Sequence, residues 1–572
     1  MASSVPVPVA SDIHEHPSGA SKWTTLAVLA LAIWLAFYSI RSYLEYRCDM
    51  AFSKQHGCER PPELPNRWPL GINWIMQLWK EDARGEVLEF MSRVADEYPT
   101  NMLSQFFLFG PRYFHVVAPQ NVEAILSSSF ADYGFGVRAD VFRPLCGAGI
   151  FTEEGPAWKA SRTLLRRHLV RVQPRALDGL REHVDNLLAR LPADGEGAAV
   201  VDLQPLFYDL TLDTASALLL GKSIYALRQG AAAATPEARR NARFAASFET
   251  VLAGLSRRFR MVPFHNLYRP KAFHDACSFI HGFVDGYVAD IRSRKMAAAP
   301  ASLSEKSGGG GGDDGDRSGG LVGQIIDMNP DADDTAIRSH VLHVLLGGRD
   351  TTASCLSWTF RLLVRHPPVF RKLRGEITQT IGAAPRPTRD DMRCMPYLAQ
   401  VVKESLRLYP PVAMNVRQAV RTTVLPTGGG RDGRSPVLVR RGECAGMSAY
   451  ITARRTSVFG PDAREFRPER WDSRDEGGDG EELQRCLDAF FAFSAGPRRC
   501  IGEDFALAEV SYVVVALCQA FQIIEILDED RGKPLGSERQ NTGLVISCME
   551  GCKVRMSRCA GERGDEGSAT KT

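Results

Sequence analysis

The pattern of apolar and polar positions divides the chain into an apolar N-terminal segment and a long, mostly helical body. The first segment, residues 23–40, reads WTTLAVLALAIWLAFYSI and contains no charge. Beyond residue 80, apolar residues recur mostly at helical spacing, with short strand-like runs such as Phe114–Val117 and Val437–Val439. The pattern therefore predicts a mainly α protein with a small β region behind an apolar N-terminal helix.

The apolar segment 23–40 is long enough to cross a bilayer, which takes about 17–25 helical residues. A buried core helix would belong to an amphipathic pattern, and a cleavable signal peptide would end in small residues, whereas this bulky run leads into RSYLEYR. Upstream of it the only basic residue is Lys22. The downstream flank carries Arg41, Arg47, Lys54 and Arg60. By the positive-inside rule, we expect a single-pass anchor with the body in the cytosol. The membrane in which we expect this anchor is that of the endoplasmic reticulum.

These features predict a division of the chain into consecutive parts. We expect a lumenal leader at 1–22, the transmembrane anchor at 23–40, a basic and proline-rich hinge at 41–71, a catalytic domain at 72–560 and a flexible tail at 561–572. The prolines of the hinge oppose helix formation and stiffen the connection. Within the catalytic domain, the glycine-rich 307–320 and the acidic 472–483 are predicted to be flexible surface insertions.

Composition narrows the function classes. The 572 residues are 44% apolar and 24% charged, which is typical of a globular protein. The formal charge of +3 gives no reason to expect a nucleic-acid partner. Thirteen cysteines without a CxxC pair argue against a disulfide framework or a zinc site, so mostly reduced thiols are expected.

A proline-free run from Asp333 to His366 predicts a helix long enough to cross a domain, and Asp333 or Asp334 can cap its start. Inside this run stands GGRDTT at 347–352. Each glycine costs about 1 kcal/mol in a helix interior, and threonine hydroxyls compete for backbone hydrogen bonds. Two interpretations stay open at this point: a helix end or packing notch, or a helix that opens locally so that a ligand can lie against its backbone.

The segment FSAGPRRCIGEDFALAE at 493–509 holds the cysteine with the most distinctive surroundings. Glycine and proline at 496, 497 and 502 predict a tight loop around Cys500, directly before a helical run. The neighbouring Arg498 and Arg499 and the helix start favour the thiolate form of that cysteine. These are the needs of a thiolate ligand to haem iron. The alternative is a structural cysteine in a loop.

The loop carries a resemblance to a known family. Its residues Phe493, Gly496, Arg498, Cys500 and Gly502 match the Phe-x-x-Gly-x-Arg-x-Cys-x-Gly signature of the cytochrome P450 superfamily. In the family's order, GGRDTT at 347–352 resembles the oxygen-binding groove of the central helix, KESLR at 403–407 the Glu-x-x-Arg motif, and FRPERW at 466–471 the motif that completes an ion-pair triad with it. The resemblance covers about residues 340–525 and implies the cytochrome P450 fold and a haem-thiolate monooxygenase.

The resemblance implies roles for the residues that carry these motifs. Cys500 would be the axial ligand of the iron of haem b, and Phe493 and Gly496 would belong to the same cofactor-binding loop. Asp350 and Thr351 would relay protons to the oxygen-binding side of the haem, the acid as the donor and the hydroxyl as the positioning group.

Other residues would bind the haem propionates or support the scaffold. Cationic side chains suit the propionate carboxylates. The candidates are Arg498, Arg417, and Trp158 with Arg162 in a Trp-x-x-x-Arg pattern. Glu404, Arg407 and Arg470 would form a buried structural charge network, in which removal of one member leaves an uncompensated charge.

Finer features resemble the fungal alkane and fatty-acid hydroxylases, above all the insert GGGRDGRSP at 428–436. Ala453 departs from that branch, in which a histidine is expected. Arg138 and Arg143 lie in the segment 131–150 that we expect to cover the substrate pocket, and each is interpreted as a surface charge or as the partner of a substrate carboxylate. The expected reaction is hydroxylation of an unactivated C–H bond in an alkane, a fatty acid or an alkyl tail.

The same motifs leave other functions open. The expected partners are an apolar small molecule, membrane lipid and NADPH-cytochrome P450 reductase as the electron donor. A tailoring oxygenase of a fungal secondary-metabolite pathway would share every motif. A haem-dependent isomerase or dehydratase is a second alternative, although such proteins commonly lack the acid–threonine pair found at Asp350 and Thr351. A non-catalytic haem-binding or scaffold protein is the third.

Overall fold

A computed structural model of the chain describes residues 19–98, 100–106, 110–192, 199–228, 235–298, 319–382, 386–472, 480–527 and 532–558. Most of the predicted insertion at 307–320, most of the one at 472–483, most of the leader and the whole tail lie outside the described residues. The chain forms two compact units, Met1–Glu59 and Arg60–Thr572. The predicted boundaries of leader, anchor, hinge and tail remain predictions.

In its described part, residues 19–59, the first unit contains one helix, α1 (Gly19–Gln55). It includes the apolar segment 23–40 and continues to Gln55, so the first part of the predicted hinge is helical. No proline occurs in 41–60, and Arg41 pairs with Glu45 one turn later at 2.9 Å. Among the described residues, α1 is the one helix that is long and apolar enough to cross a membrane, with a mean hydropathy of 1.8 and no burial inside the protein.

The second unit is mainly helical, as predicted. Its helices are α2 (Ile72–Arg84), α3 (Val87–Asp96), α4 (Pro119–Glu123), α5 (Arg138–Cys146), α6 (Gly155–Ala189), α7 (Leu203–Leu220), α8 (Pro236–Arg260), α9 (Lys271–Ala298), α10 (Gly320–Met328), α11 (Asp334–Arg365), α12 (Pro367–Ile381), α13 (Arg389–Arg393), α14 (Pro396–Leu408), α15 (Ala449–Thr452), α16 (Thr456–Phe459), α17 (Gly480–Asp488) and α18 (Glu503–Ala520).

The strands are short and form small sheets at the edge of the helical body. They are β1 (Met102–Phe106), β2 (Arg112–Val116), β3 (Tyr133–Gly134), β4 (Ala199–Asp202), β5 (Met414–Ala419), β6 (Thr423–Gly429), β7 (Ser435–Val439), β8 (Cys444–Ser448), β9 (Phe521–Ile526), β10 (Gln540–Thr542), β11 (Ile546–Cys548) and β12 (Lys553–Arg558). The largest sheet has the order β1-β2-β8-β5-β3, with β2 and β8 parallel. The insert at 428–436 forms the turn of the hairpin β6–β7.

Helix α11 is the central element of the second unit. Asp333 caps it by accepting a hydrogen bond from the amide of Ala336, as the sequence predicts. Its residues 337–346 belong to one buried apolar cluster, shared with α8, α9 and α10. Its residues 353–364 belong to another, shared with α7, α14 and α18. The GGRDTT segment therefore lies at the junction between the two apolar clusters.

Candidate functional site

The loop around Cys500 is fixed by its backbone. The amide of Cys500 donates to the carbonyl of Phe493 at 2.9 Å, which closes the loop ahead of α18. Gly496 has a φ of +61°, and a Cβ there would collide with the carbonyl oxygen of Leu126. Any other residue at 496 would therefore be strained and would displace the loop from the segment 124–128.

Cys500 is solvent-accessible, although enough protein surrounds its thiol for burial to be the main influence on its pKa. Burial raises the pKa of the thiol, against the opposing effects of a hydrogen bond from the Gly502 amide and the charges of Arg162 and Arg499. The charge of the neighbouring Arg499 thus favours the thiolate, as expected, but burial outweighs it. Arg499 is paired with Glu503 at 2.7 and 2.8 Å, so the carboxylate of Glu503 offsets much of its charge.

Three arginine side chains meet around the ring of Phe135. The guanidinium carbons of Arg138, Arg417 and Arg498 lie 4.1, 4.8 and 3.9 Å from the centre of that ring. They come from α5, from β5 and from the Cys500 loop, so three distant parts of the chain build one cluster. We call Arg138, Arg417 and Arg498 the arginine cluster.

Hydrogen bonds fix two members of the arginine cluster as a pair. The Oδ1 atom of Asn415 accepts from Nη2 of Arg138 at 2.5 Å and from Nη1 of Arg417 at 2.6 Å. Arg498 instead donates to the carbonyls of Ile150 and Glu153 at 3.3 and 3.0 Å. Neutral oxygens therefore hold the cluster, and none of its three members forms an ion pair with a carboxylate of the described residues.

The electrostatics of the arginine cluster are those of a site with surplus positive charge. Burial is the largest cause that lowers the pKa of each member, to about 10 for Arg417 and about 9 for Arg498. Repulsion from Arg417 and Arg498 further lowers the pKa of Arg138, whereas the nearby Glu154 raises all three. Such a cluster is chemically suited to bind carboxylates, which would restore the charge balance.

The structure corrects the interpretation of Arg138 as a surface charge. Arg138 is half-buried in the arginine cluster because the pairing of β3 with β5 brings Phe135 and the start of α5 beside Asn415. Arg143 is different: it is exposed and lies 3.5 Å from Asp140 one turn earlier. The sequence separation of 279 residues between Arg138 and Arg417 explains why the sequence pattern does not reveal this contact.

Trp158 and Arg162 connect the arginine cluster to the cysteine. The buried ring of Trp158 lies 4.2 Å from the guanidinium carbon of Arg498 and 5.7 Å from the ring of Phe130. Arg162, one turn further along α6, lies over the same tryptophan at 6.0 Å, and its charge lowers the pKa of Cys500. The sequence-predicted residues Trp158, Arg162, Arg417, Arg498 and Cys500 are thus linked by successive contacts.

Helix α11 is continuous through its two glycines, so neither a helix end nor the local opening expected from GGRDTT is observed. The Thr351 hydroxyl donates to the carbonyl of Gly347 at 2.6 Å, inside the helix. A Cβ at Gly347 would come to 3.4 Å from the Phe151 ring, and a Cβ at Gly348 would meet nothing within 4 Å. The glycines therefore leave one side of the helix uncovered without interrupting it.

Asp350 is buried and has a cationic neighbour that the sequence analysis did not consider. The Nη1 atom of Arg349 donates to Oδ1 of Asp350 at 2.9 Å. Burial raises the pKa of Asp350 to about 6; Arg349 opposes this shift and Glu249 reinforces it. Because a buried arginine in an apolar helix needs a partner, the sequence could have indicated that Arg349 pairs with a neighbouring carboxylate.

Glu404, Arg407 and Arg470 form a fully buried network, which the pairing of Arg470 with Asp462 at 3.0 Å extends towards the surface. Arg407 donates to both carboxylate oxygens of Glu404 at 2.7 and 2.8 Å, and Arg470 lies 3.6 Å from the same carboxylate. The indole of Trp471 adds a hydrogen bond to Glu404 at 2.9 Å, which the sequence analysis did not anticipate. The remaining donors of Arg407 bind the carbonyls of Ala453, Ala463 and Glu465.

Comparisons with known proteins identify relatives along nearly the whole chain. The family model "Cytochrome P450" matches residues 62–545. A protein of Aspergillus japonicus named "Cytochrome P450 monooxygenase himC" is 39% identical over 538 residues, 93% of this chain and 88% of that protein. "Cytochrome P450 52A13" of Debaryomyces hansenii is 34% identical over 529 residues, 90% of this chain and 95% of that protein.

A solved structure supports the fold. The crystal structure of the cytochrome P450DA heme domain superposes with a TM-score of 0.68, covering 88% of this chain and 98% of that domain. Its sequence identity of 18% restricts the comparison to the fold. The match agrees with the predicted mainly α architecture with small sheets.

Proposed function

This chain belongs to the cytochrome P450 family of haem-thiolate monooxygenases, and we propose that it hydroxylates an unactivated C–H bond of a long-chain apolar substrate. The substrate would be an alkane, a fatty acid or a molecule with an alkyl tail. The observation that carries this proposal is the similarity to the cytochrome P450 52 relative over nearly the full length of both chains. The insert GGGRDGRSP, which forms the β6–β7 turn, adds to the resemblance to the alkane and fatty-acid hydroxylases.

We propose that the Cys500 loop and the arginine cluster together hold haem b. Cys500 would be the iron ligand, with its loop shaped by Phe493 and Gly496. The arginine cluster would bind the two propionates, because it combines surplus charge with donors held by neutral oxygens. Trp158 and Arg162 would close the site between cluster and cysteine. When bound, the haem supplies the activation of dioxygen that insertion into a C–H bond requires.

Asp350 and Thr351 would supply protons beside the haem. A carboxyl with a pKa of about 6 exchanges protons readily near neutral pH, which is the property of an effective general acid. The Thr351 hydroxyl, bonded to the Gly347 carbonyl, would position the group that receives the proton. Glu404, Arg407 and Arg470 would act as a structural support only, since they bind one another, backbone carbonyls, the Trp471 indole and the Asp462 carboxylate.

An electron donor with an acidic surface would suit the face next to the Cys500 loop. A cleft of about 750 Å³ there is lined by Pro497 and by a basic stretch of α6. The cations are Lys159, Arg162, Arg166 and Arg167. Opposite charge steers association between proteins, and we propose NADPH-cytochrome P450 reductase as the partner on this face.

Helix α1 would anchor the protein in the endoplasmic reticulum membrane with the second unit in the cytosol, as the flanking charges predict. The second unit also has exposed apolar side chains near its start: Trp68, Leu70, Met76 and Trp79. Tryptophan and bulky apolar residues at an exposed surface suit the headgroup region of a bilayer. Membrane lipid is therefore the proposed contact for this surface.

The substrate class is tested by optical titration of the purified ferric protein with alkanes, fatty acids and unrelated apolar compounds. A bound substrate that displaces water from the iron shifts the absorption spectrum. We expect saturable shifts with the long chains, on protein whose reduced carbon monoxide complex shows thiolate ligation; Cys500→Ala should lose that signature, and Cys394→Ala should keep it. Silence with every simple chain would overturn the alkane and fatty-acid proposal in favour of a dedicated secondary-metabolite substrate.

A further inference from the structure

Arg349 joins the buried Asp350 to the surface of the protein. Its guanidinium is 3% exposed, and it donates through Nη1 to Asp350 and through Nη2 to Glu249 of α8. The side chain of Asp350 is 12% exposed and that of Glu249 is 59% exposed. The three side chains therefore form a continuous path from the interior at GGRDTT to solvent.

The position of Arg349 is fixed by rings as well as by carboxylates. Its guanidinium carbon lies 5.1 Å from the ring centre of Tyr208 and 5.5 Å from that of Phe248. These two aromatic side chains come from α7 and α8, which pack on either side of the arginine. Because Arg349 cannot move far, its charge is shared between two fixed carboxylates, Asp350 and Glu249.

This sharing determines the electrostatics of Asp350. Burial is the largest effect on the pKa of Asp350; among the described residues, Arg349 lowers it and Glu249 raises it. From α7, Tyr208 and Asp209 face the same network, and burial raises the pKa of each. Glu249 is thus a solvent-accessible group whose charge acts on a buried acid through a single arginine.

We propose that Glu249 is a positioning residue that controls, through Arg349, how readily Asp350 takes up the proton it passes on. The inference rests on the proposed relay role of Asp350. With Glu249 ionised, Arg349 is divided between two carboxylates, and Asp350 can accept a proton from solvent. Without that charge, Arg349 pairs with Asp350 alone and holds it in the ionised form.

The consequence appears in how oxygen is used. Coupled turnover converts RH, O₂, NADPH and one proton to ROH, NADP⁺ and water. When the proton supply fails, O₂, NADPH and one proton yield H₂O₂ and NADP⁺ instead. A weaker supply of protons through Asp350 therefore raises the fraction of NADPH that ends as peroxide.

The test compares Glu249→Gln with Glu237→Gln. Both glutamates lie on α8, are more than half exposed and pair with a cation, which for Glu237 is Lys222 at 2.6 Å. Glutamine keeps the shape and the hydrogen-bonding oxygen and removes the charge. Neither variant removes a buried group, so both are expected to fold.

The direct readout is the titration of Asp350 in the resting ferric protein, followed by the infrared band of the protonated carboxyl and assigned with Asp350→Asn. Glu249→Gln should move the midpoint to lower pH, and each unit of that shift means about tenfold less protonated acid near neutral pH. In turnover with the reductase, the peroxide fraction at neutral pH should rise and should fall again as the pH is lowered. Glu237→Gln should change neither measurement.

An unchanged infrared midpoint in Glu249→Gln, or an equal shift in Glu237→Gln, would overturn the inference. A shifted midpoint with unchanged coupling at every pH would also overturn it. In that case Asp350→Asn distinguishes a failure of the role of Glu249 from a failure of the proposed relay through Asp350. If Asp350→Asn raises the peroxide fraction, the relay stands and only the role of Glu249 is lost; if it does not, the proposed relay itself is wrong.

Discussion

Two groups of arginines in this protein differ in how their positive charge is balanced. In the Glu404 network, Arg407 and Arg470 share the carboxylate of Glu404, and Arg470 also pairs with Asp462 at 3.0 Å. Backbone carbonyls accept further hydrogen bonds from both arginines. In the arginine cluster around Phe135, neutral oxygens hold the three cations, and Glu154 is the carboxylate that offsets them. A buried arginine is therefore not informative by itself. Whether its charge is balanced within the chain distinguishes a structural support from a site prepared for an anionic ligand.

The largest expected effect comes from removing the central carboxylate of the Glu404 network, which tests whether that network is structural. Glu404→Gln removes the carboxylate between two buried guanidinium groups, and an uncompensated buried charge of this kind costs about 3–5 kcal/mol. We expect little soluble protein and loss of cooperative unfolding in denaturant. Glu465→Gln is the matched control, because its side chain is exposed while its carbonyl still accepts from Arg407. Normal stability of Glu404→Gln would mean that the network is not structural.

A smaller effect, on haem retention and not on the stability of the fold, is expected from a substitution in the arginine cluster. Arg417→Gln removes one of three mutually repelling cations, so the haem-free fold should be unaffected. Haem retention should weaken, since a hydrogen bond to a charged group contributes about 1.5–3 kcal/mol, equivalent to tenfold or more in dissociation rate. The measurement is transfer of haem to an excess of apomyoglobin. Arg421→Gln, an exposed neighbour paired with Asp132, is the control. A destabilised fold with normal haem retention would place Arg417 with the structural arginines.

The smallest effect should come from Glu154→Gln, which increases the surplus positive charge of the arginine cluster, whereas Arg417→Gln reduces it. Glutamine can still accept the hydrogen bond from the amide of Phe135, while the cluster loses the carboxylate that offsets it. Haem transfer should slow by about twofold, because exposed charges interact with energies of up to about 1 kcal/mol. Faster haem loss in this variant would show that Glu154 acts by shaping the loop and not by its charge.

The sequence was sufficient for the features that depend on local pattern. The family and its fold are confirmed by the comparisons, and the capped helix beginning after Asp333 and the short strands at 114–117 and 437–439 occur where the apolar spacing predicts them. Helix α1 exceeds the predicted apolar segment because polar residues with good helix propensity continue it to Gln55, and it ends just before Gly57, which has a positive φ.

The contacts between distant segments could not be predicted in this way. From the sequence, Arg138 is a surface charge or the partner of a substrate carboxylate, because nothing near it in sequence indicates the β3–β5 pairing that brings it to Asn415. Glu249 likewise has no local feature that links it to Arg349, a hundred residues later. The choice between a packing notch and a local opening of α11 also depends on a contact that the motif does not specify. The Thr351 hydroxyl bonds within the helix, so the glycine pair is tolerated without a break.

The alternation of side chains along β5 has a consequence for how this protein can vary in length. Asn415 and Arg417 project from the same face because they are two residues apart, and the pairing of Gly134 with Gln418 fixes which face that is. An insertion or deletion of one residue within β5, between Arg417 and the paired Gln418, would turn both side chains to the opposite face. The long hairpin β6–β7 begins only after β5 has ended, so its length can change without altering this alignment. Natural variants with loops of different length should therefore concentrate their gaps after Ala419 and keep the preceding segment constant.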